Sequence, residues 1–241
     1  MGVINSGAAN QPTLMAIDPT NLAGRVSFRP SEVTGSYRAS VVSGTITFSN
    51  VSSANGVLYT FKYTGTGVCL IRSVQVGLQI IATGLTTTGY VPLSLYRVPT
   101  SFTQGTTNGT GYGTGQATSL TNKKRTSQSS PNATIIVYNG TSTGITGDTA
   151  TNEDATRYAS VVLGAAVSTV TTLPVDGLRD MLNTQDKPFV NSQASYAAYP
   201  LTLAASEGFR IKNDAAFING TTGAGTAALV VSVEWEEATT F

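Results

Sequence analysis

Near the end of the chain, Leu229, Val231, Val233 and Trp235 fall on one side of an extended backbone, and Ser232, Glu234 and Glu236 on the other. Successive side chains of a strand point to opposite faces, so this order requires a strand with one buried and one wet face. Phe209 and Ile211 alternate with Arg210 and Lys212 in the same way. The two segments read as strands joined by a long loop of glycine and threonine, and together they close a β-domain.

Further strands follow from the same period. Val57, Tyr59, Phe61 and Tyr63 alternate with Leu58, Thr60 and Lys62; Val74, Val76, Leu78 and Ile80 alternate with Ser73, Gln75, Gly77 and Gln79. Segments 25–29, 36–48 (with Gly44 as a bend), 90–98, 133–138, 158–170 and 196–204 add shorter candidates. Strands at this spacing, separated by turn residues, belong to sandwiches and barrels. One segment breaks the pattern: in Asp176–Asn183, Leu178, Met181 and Leu182 form a helical stripe behind a capping Asp176, which predicts a short helix. Residues 1–20 carry no periodicity before Leu14 and are expected to form an extended arm. Residues 99–131 hold many glycines and few apolar anchors and read as a long loop insertion. The expected architecture is all-β: a single antiparallel jelly-roll-like β-sandwich over residues 21–241, with long Gly/Thr-rich loops at its ends. An up-and-down barrel is the second choice.

Composition narrows the function. Charged residues make up 11% of the chain, well below the quarter usual in soluble domains, so its surface holds water through Thr, Ser, Asn and Gln. The net charge of +1 leaves no basic excess for a nucleic-acid footprint. The single basic run, Lys123-Lys124-Arg125, reads as a solvated loop tip. Cys69 is the only cysteine and sits in an apolar run, which predicts a buried thiol and fits assembly in a reducing cytosol. The N-terminus shows no secretory pattern, and no apolar run is long enough to span a membrane as a helix.

The search for chemistry is short. Without histidine, Ser-His-Asp and Cys-His sites are excluded, as are common zinc sites. Glu234 and Glu236, about 7 Å apart along one strand face, have the spacing of a glycosidase pair. That face is expected to be wet, and an exposed carboxylate does not acquire the raised pKa of a general acid. Asp148, Glu153 and Asp154 share a loop that could gather calcium, although their spacing matches no EF-hand. The glycines of GTGYGTG (109–115) precede no phosphate-binding lysine and serve loop conformation. No residue is singled out as catalytic, cofactor-binding or metal-binding. For interaction, the residues to probe are Leu14, Met15 and Ile17 of the arm and Tyr112, Lys123 and Arg125 of the insertion.

Two stretches carry a resemblance. AIDPTNLAGRVSF (16–28), and SEGFRIKN (206–213) followed by VSVEWEE (231–237), resemble segments of virion structural proteins of tailed bacteriophages. The resemblance implies a non-enzymatic β-sandwich component of the particle, a capsid decoration (cement) protein. It further implies contact with the major capsid protein and with its own copies, expected as a homotrimer, in a virion assembled in the host cytoplasm. A tail or fibre component binding a host receptor or glycan, and a jelly-roll major capsid protein, are the alternatives.

Overall fold

The computed structural model describes residues 33–47, 56–82, 89–100, 102–121, 123, 129–140, 144–149, 152–165, 176–182, 201–214 and 226–239. The expected arm and the strand expected at 25–29 lie outside these residues. Among the described residues there are twelve strands: β1 (Val33–Val42), β2 (Ile46–Thr47), β3 (Val57–Tyr63), β4 (Val68–Ala82), β5 (Gly89–Val98) and β6 (Gly109–Gly113), then β7 (Ala133–Tyr138), β8 (Ala159–Ala165), β9 (Asp176–Asp180), β10 (Leu201–Leu203), β11 (Gly208–Asn213) and β12 (Thr226–Ala238).

The strands form two antiparallel six-stranded sheets packed as a sandwich, as the alternating pattern predicted. The first runs β1-β12-β4-β10, with β2 also on β12 and β9 also on β4; the second runs β6-β7-β3-β11-β5-β8. One rule generates both. The chain pairs outside-in, β1 with β12, β3 with β11, β4 with β9 and β10, and β5 with β8. A long antiparallel ladder of this kind, rolled up so that its rungs close side by side, has the strand order of a jelly roll. The β6–β7 hairpin is an insertion between β5 and β8, and it extends the second sheet beyond β3.

The inner faces make the core. Leu229, Val231, Val233 and Trp235 of β12 are buried, as are Val74, Val76 and Leu78 of β4. Trp235 meets Phe61 of the opposite sheet edge-on at 5.3 Å, and Phe61 stacks on Phe209 at 5.2 Å. Offset and edge-on aromatic pairs of this kind contribute beyond their buried area.

Two expectations are corrected. Asp176–Asn183 is not a helix, because residues 176–180 form β9 along the edge of β4. Hydrogen bonding to an open sheet edge overrides a local helical stripe. The Asp180 carboxylate accepts from Ser73 Oγ at 2.7 Å and from Leu182 N at 3.0 Å, turning the chain where the strand ends. β9 and β10 then continue along one edge of β4, with Met181 N donating to Val74 O and Leu201 standing opposite Ile71. The insertion at 99–131, expected to lack regular structure, contains β6, and its flanks fold back over the second sheet. Leu58 and Thr60, on the outer face of β3, are therefore buried.

Phe209 lies at the centre of the aromatic stack, fully buried. Truncating a buried phenylalanine removes its transfer energy and leaves a cavity. Phe209→Ala is expected to cost about 3–5 kcal/mol in urea unfolding followed by tryptophan fluorescence.

Candidate functional site

The densest polar cluster lies on the outer face of the second sheet. Alternation along β11 sends Phe209 and Ile211 into the core and Arg210 and Lys212 outward, yet both cations are buried. The segment entering β8 covers them. Asp148 and Glu153 reach down from it: Arg210 donates to both carboxylates, through Nε to Glu153 at 2.6 Å, and Lys212 also donates to Glu153. The Lys212 ammonium sits 4.1 Å from the Tyr96 ring centroid on β5. Next to it, Asp214 accepts from Ser94, from Tyr96 Oη at 2.9 Å and from Arg157 at 3.2 Å. Burial, then the hydrogen bond and charge of Asp214, raise the Tyr96 phenol above its usual range.

This cluster contains three cations and three carboxylates, which is why it tolerates burial. A desolvated charge is costly unless it is paired and hydrogen-bonded. Neighbouring contacts fasten the same layer. Gln104 Nε2 donates to Thr60 Oγ1 at 2.9 Å and to Thr134 O at 3.0 Å, and Ile145 N donates to Val57 O at 2.8 Å. Phe102 lies over Gly208, where an added Cβ would stand 2.7 Å from its ring. Only glycine admits that close approach.

A second cluster surrounds Glu237 at the end of β12. Its carboxylate is 1% exposed and accepts from Asn132 N and Nδ2, both at 2.8 Å, and from Trp235 Nε1 at 3.1 Å. The chain entering β7 is thereby tied to the first sheet, and Tyr37 Oη donates to Ser129 O at 3.0 Å nearby. Burial, and then the charge of Glu237, push the Tyr63 phenol up to about 12 and raise the Cys69 thiol well above its usual value.

An open cleft of about 480 Å³ lies beside β10, lined by Val68, Tyr158, Leu201 and the Arg97–Glu207 pair. Arg97 Nη2 donates to both oxygens of Glu207, which also accepts from Ala204 N at 2.8 Å. The Glu207 carboxylate therefore braces the turn between β10 and β11.

The residues singled out from sequence are not brought together. Leu14, Met15, Ile17 and Arg125 lie outside the described residues. Tyr112 stands on β6 opposite Ile135 and packs half-buried against the core. Lys123 bridges to Tyr37 on the free side of β1, in the other sheet. Asp148 and Glu153, weighed as calcium ligands, are taken by Arg210 and Lys212, and Asp154 N donates to Arg97 O. Among the described residues no group of three metal-ligating side chains gathers. Glu234 and Glu236 do share the outer face, where they pair with Arg38 at 3.6 Å and Arg72 at 2.6 Å. Cys69 is fully buried.

Sequence reasoning missed the Arg210 and Glu237 clusters. Glu237 could have been found, because it continues the buried series Leu229 to Trp235. Nothing in the sequence links Asp148 and Glu153 to Arg210, some sixty residues away. The sequence matches no protein-family model and no curated protein.

Two measurements test these clusters. Glu153→Gln withdraws the carboxylate shared by Arg210 and Lys212. It is expected to cost about 3 kcal/mol in chemical unfolding and to speed proteolysis within 144–157. Tyr63 ionises near 10 in an unfolded chain and near 12 here. Its neutral form favours the fold fully below pH 10, and that contribution is lost as pH rises from 10 to 12. Unfolding free energy is expected to fall across that window, less steeply in Tyr63→Phe.

Proposed function

We propose that this chain is a non-enzymatic virion structural protein, a decoration subunit that binds the capsid lattice of a tailed bacteriophage and stabilises the head. The observation that carries this reading is where the polar side chains go. Asp148, Glu153, Asp214, Glu207 and Glu237 accept hydrogen bonds from the protein's own cations, amides and hydroxyls. Their role is to hold covering segments onto a rigid sandwich. What this frame offers a partner is a shaped, weakly charged surface, and low charge lowers the desolvation cost of extended protein contacts. Of the two stretches resembling phage virion proteins, 16–28 lies outside the described residues, and the second, 206–213 with 231–237, contains β11 and most of the buried end of β12, so that part of the resemblance falls on the frame itself. The link from jelly roll to capsid is an analogy of fold, which supports the reading without naming a site.

The outside-in strand order favours a second reading, a jelly-roll shell subunit, since shells are also built from this fold. Partners under the first reading are the major capsid protein and further copies of this chain, in a virion assembled in the host cytoplasm. Antibody raised against the purified chain and applied to phage particles is expected to label the faces of the head, at a copy number below that of the shell protein. Label confined to the tail, or absent from particles, would overturn the proposal. A copy number equal to that of the shell would favour the second reading.

A further inference from the structure

Glu153 meets two cations through different oxygens. Arg210 donates to Oε2 through Nε at 2.6 Å and again through Nη2, and Lys212 Nζ donates to Oε1. Arg210 also holds Asp148, through Nη1. All four side chains are shielded from water, the Lys212 side chain 11% and the Glu153 side chain 15% exposed. The Tyr96 ring stands against the ammonium at 4.1 Å. A primary amine and a carboxyl group are thus held in contact in a nearly dry layer, which is the composition of an amide before condensation.

The surrounding charges permit that condensation. If Lys212 and Glu153 were joined, one cation and one carboxylate would disappear together. Arg210 would keep Asp148, and Arg157 would keep Asp214. No buried charge would be left alone, and the desolvation cost of one pair would be removed. Groups held in contact react as if at an effective concentration of about 10⁵ M or more, which offsets the unfavourable equilibrium of amide formation in water. Exclusion of water hinders the reverse hydrolysis. Of the two cations on Glu153, lysine is the one that becomes a nucleophile by giving up a proton; a guanidinium keeps its charge.

We infer that Lys212 and Glu153 form an intramolecular isopeptide bond, which ties the segment entering β8 covalently to β11. A proton moves along the hydrogen bond from Nζ to Oε1, leaving a neutral amine against a neutral acid. Nζ then bonds to Cδ, and negative charge gathers on Oε2, where Nε and Nη2 of Arg210 already stand as donors. Oε1 takes a second proton from Nζ and leaves as water, and Oε2 becomes the carbonyl oxygen of the Nζ–Cδ amide. No oxidant or cofactor enters the balance. Asp148 is a positioning residue, acting through Arg210. In a chain whose single cysteine allows no intrachain disulfide, the bond supplies a covalent clasp between segments some sixty residues apart. The inference goes beyond the proposed function and stands or falls independently of any capsid.

Mass spectrometry of the purified full chain, made alone and denatured before measurement, tests it. The wild type is expected to be lighter than its sequence mass by one water molecule. After trypsin, residues 126–157 are expected to be joined to residues 211–241, because an acylated Lys212 is no longer cleaved. Lys212→Arg keeps a cation on Glu153 and is expected to show its own full sequence mass and a lower melting temperature than the wild type. Circular dichroism establishes that the variant is folded; if it is not, the wild-type mass and peptide map decide alone. A wild type at full mass, or a missing water mapped to other peptides, overturns the inference and leaves an ion pair. A folded Lys212→Arg that still lacks one water overturns it as well.

Discussion

Everything in this structure depends on β12 lying between β1 and β4. It pairs with β1 from Val33 to Val42 and with β4 from Val68 to Ala82, and so holds the first sheet together. Its inner side chains reach across to the second sheet, where Trp235 meets Phe61. The last of the described strands is thus the one that joins the first and the fourth in a single sheet. Because its partners are distant in sequence, the sheet pays the loop-closure entropy of nearly the whole chain, and the long ladder with its aromatic contacts offsets that cost.

The second sheet depends on a different balance. β11 is buried on both faces, one against aromatic rings and the other beneath the segment that carries Asp148 and Glu153. A strand covered twice ordinarily carries apolar residues on both sides. Here Arg210 and Lys212 occupy the covered outer face, and their partners come from the covering segment itself. Well-packed apolar residues can stabilise such a layer equally, but ion pairs also specify which segment sits there and in what position.

The same arrangement divides the surface by charge. Ion pairs lie beneath the segment entering β8 and on one half of the first sheet, and on the other half Val42, Ile81 and Leu178 are exposed, Leu178 in a strand that also carries Arg179 and Asp180. In a chain with so few charges, most of the described ion pairs lie inside the fold and hold its own segments together. A scaffold protein in a particle works under the same constraint, since its contacts must be extensive and close without strong repulsion.

The all-β class, the inner faces of β3, β4 and β12 and the burial of Cys69 were legible in the sequence, because a strand with one buried face writes its period directly into neighbouring residues. Asp176–Asp180 was not, because its strand conformation comes from the open edge of β4 and not from its own side chains. The covered outer face of β3 and β11 was not legible either. Arg210 and Lys212 alternate as wet residues should, and the folding back of the segments that carry Gln104 and Glu153 removes water from them and from Leu58 and Thr60. Alternation determines which side of a strand each residue takes. What covers that side is set by segments tens of residues away, through contacts that no local pattern records.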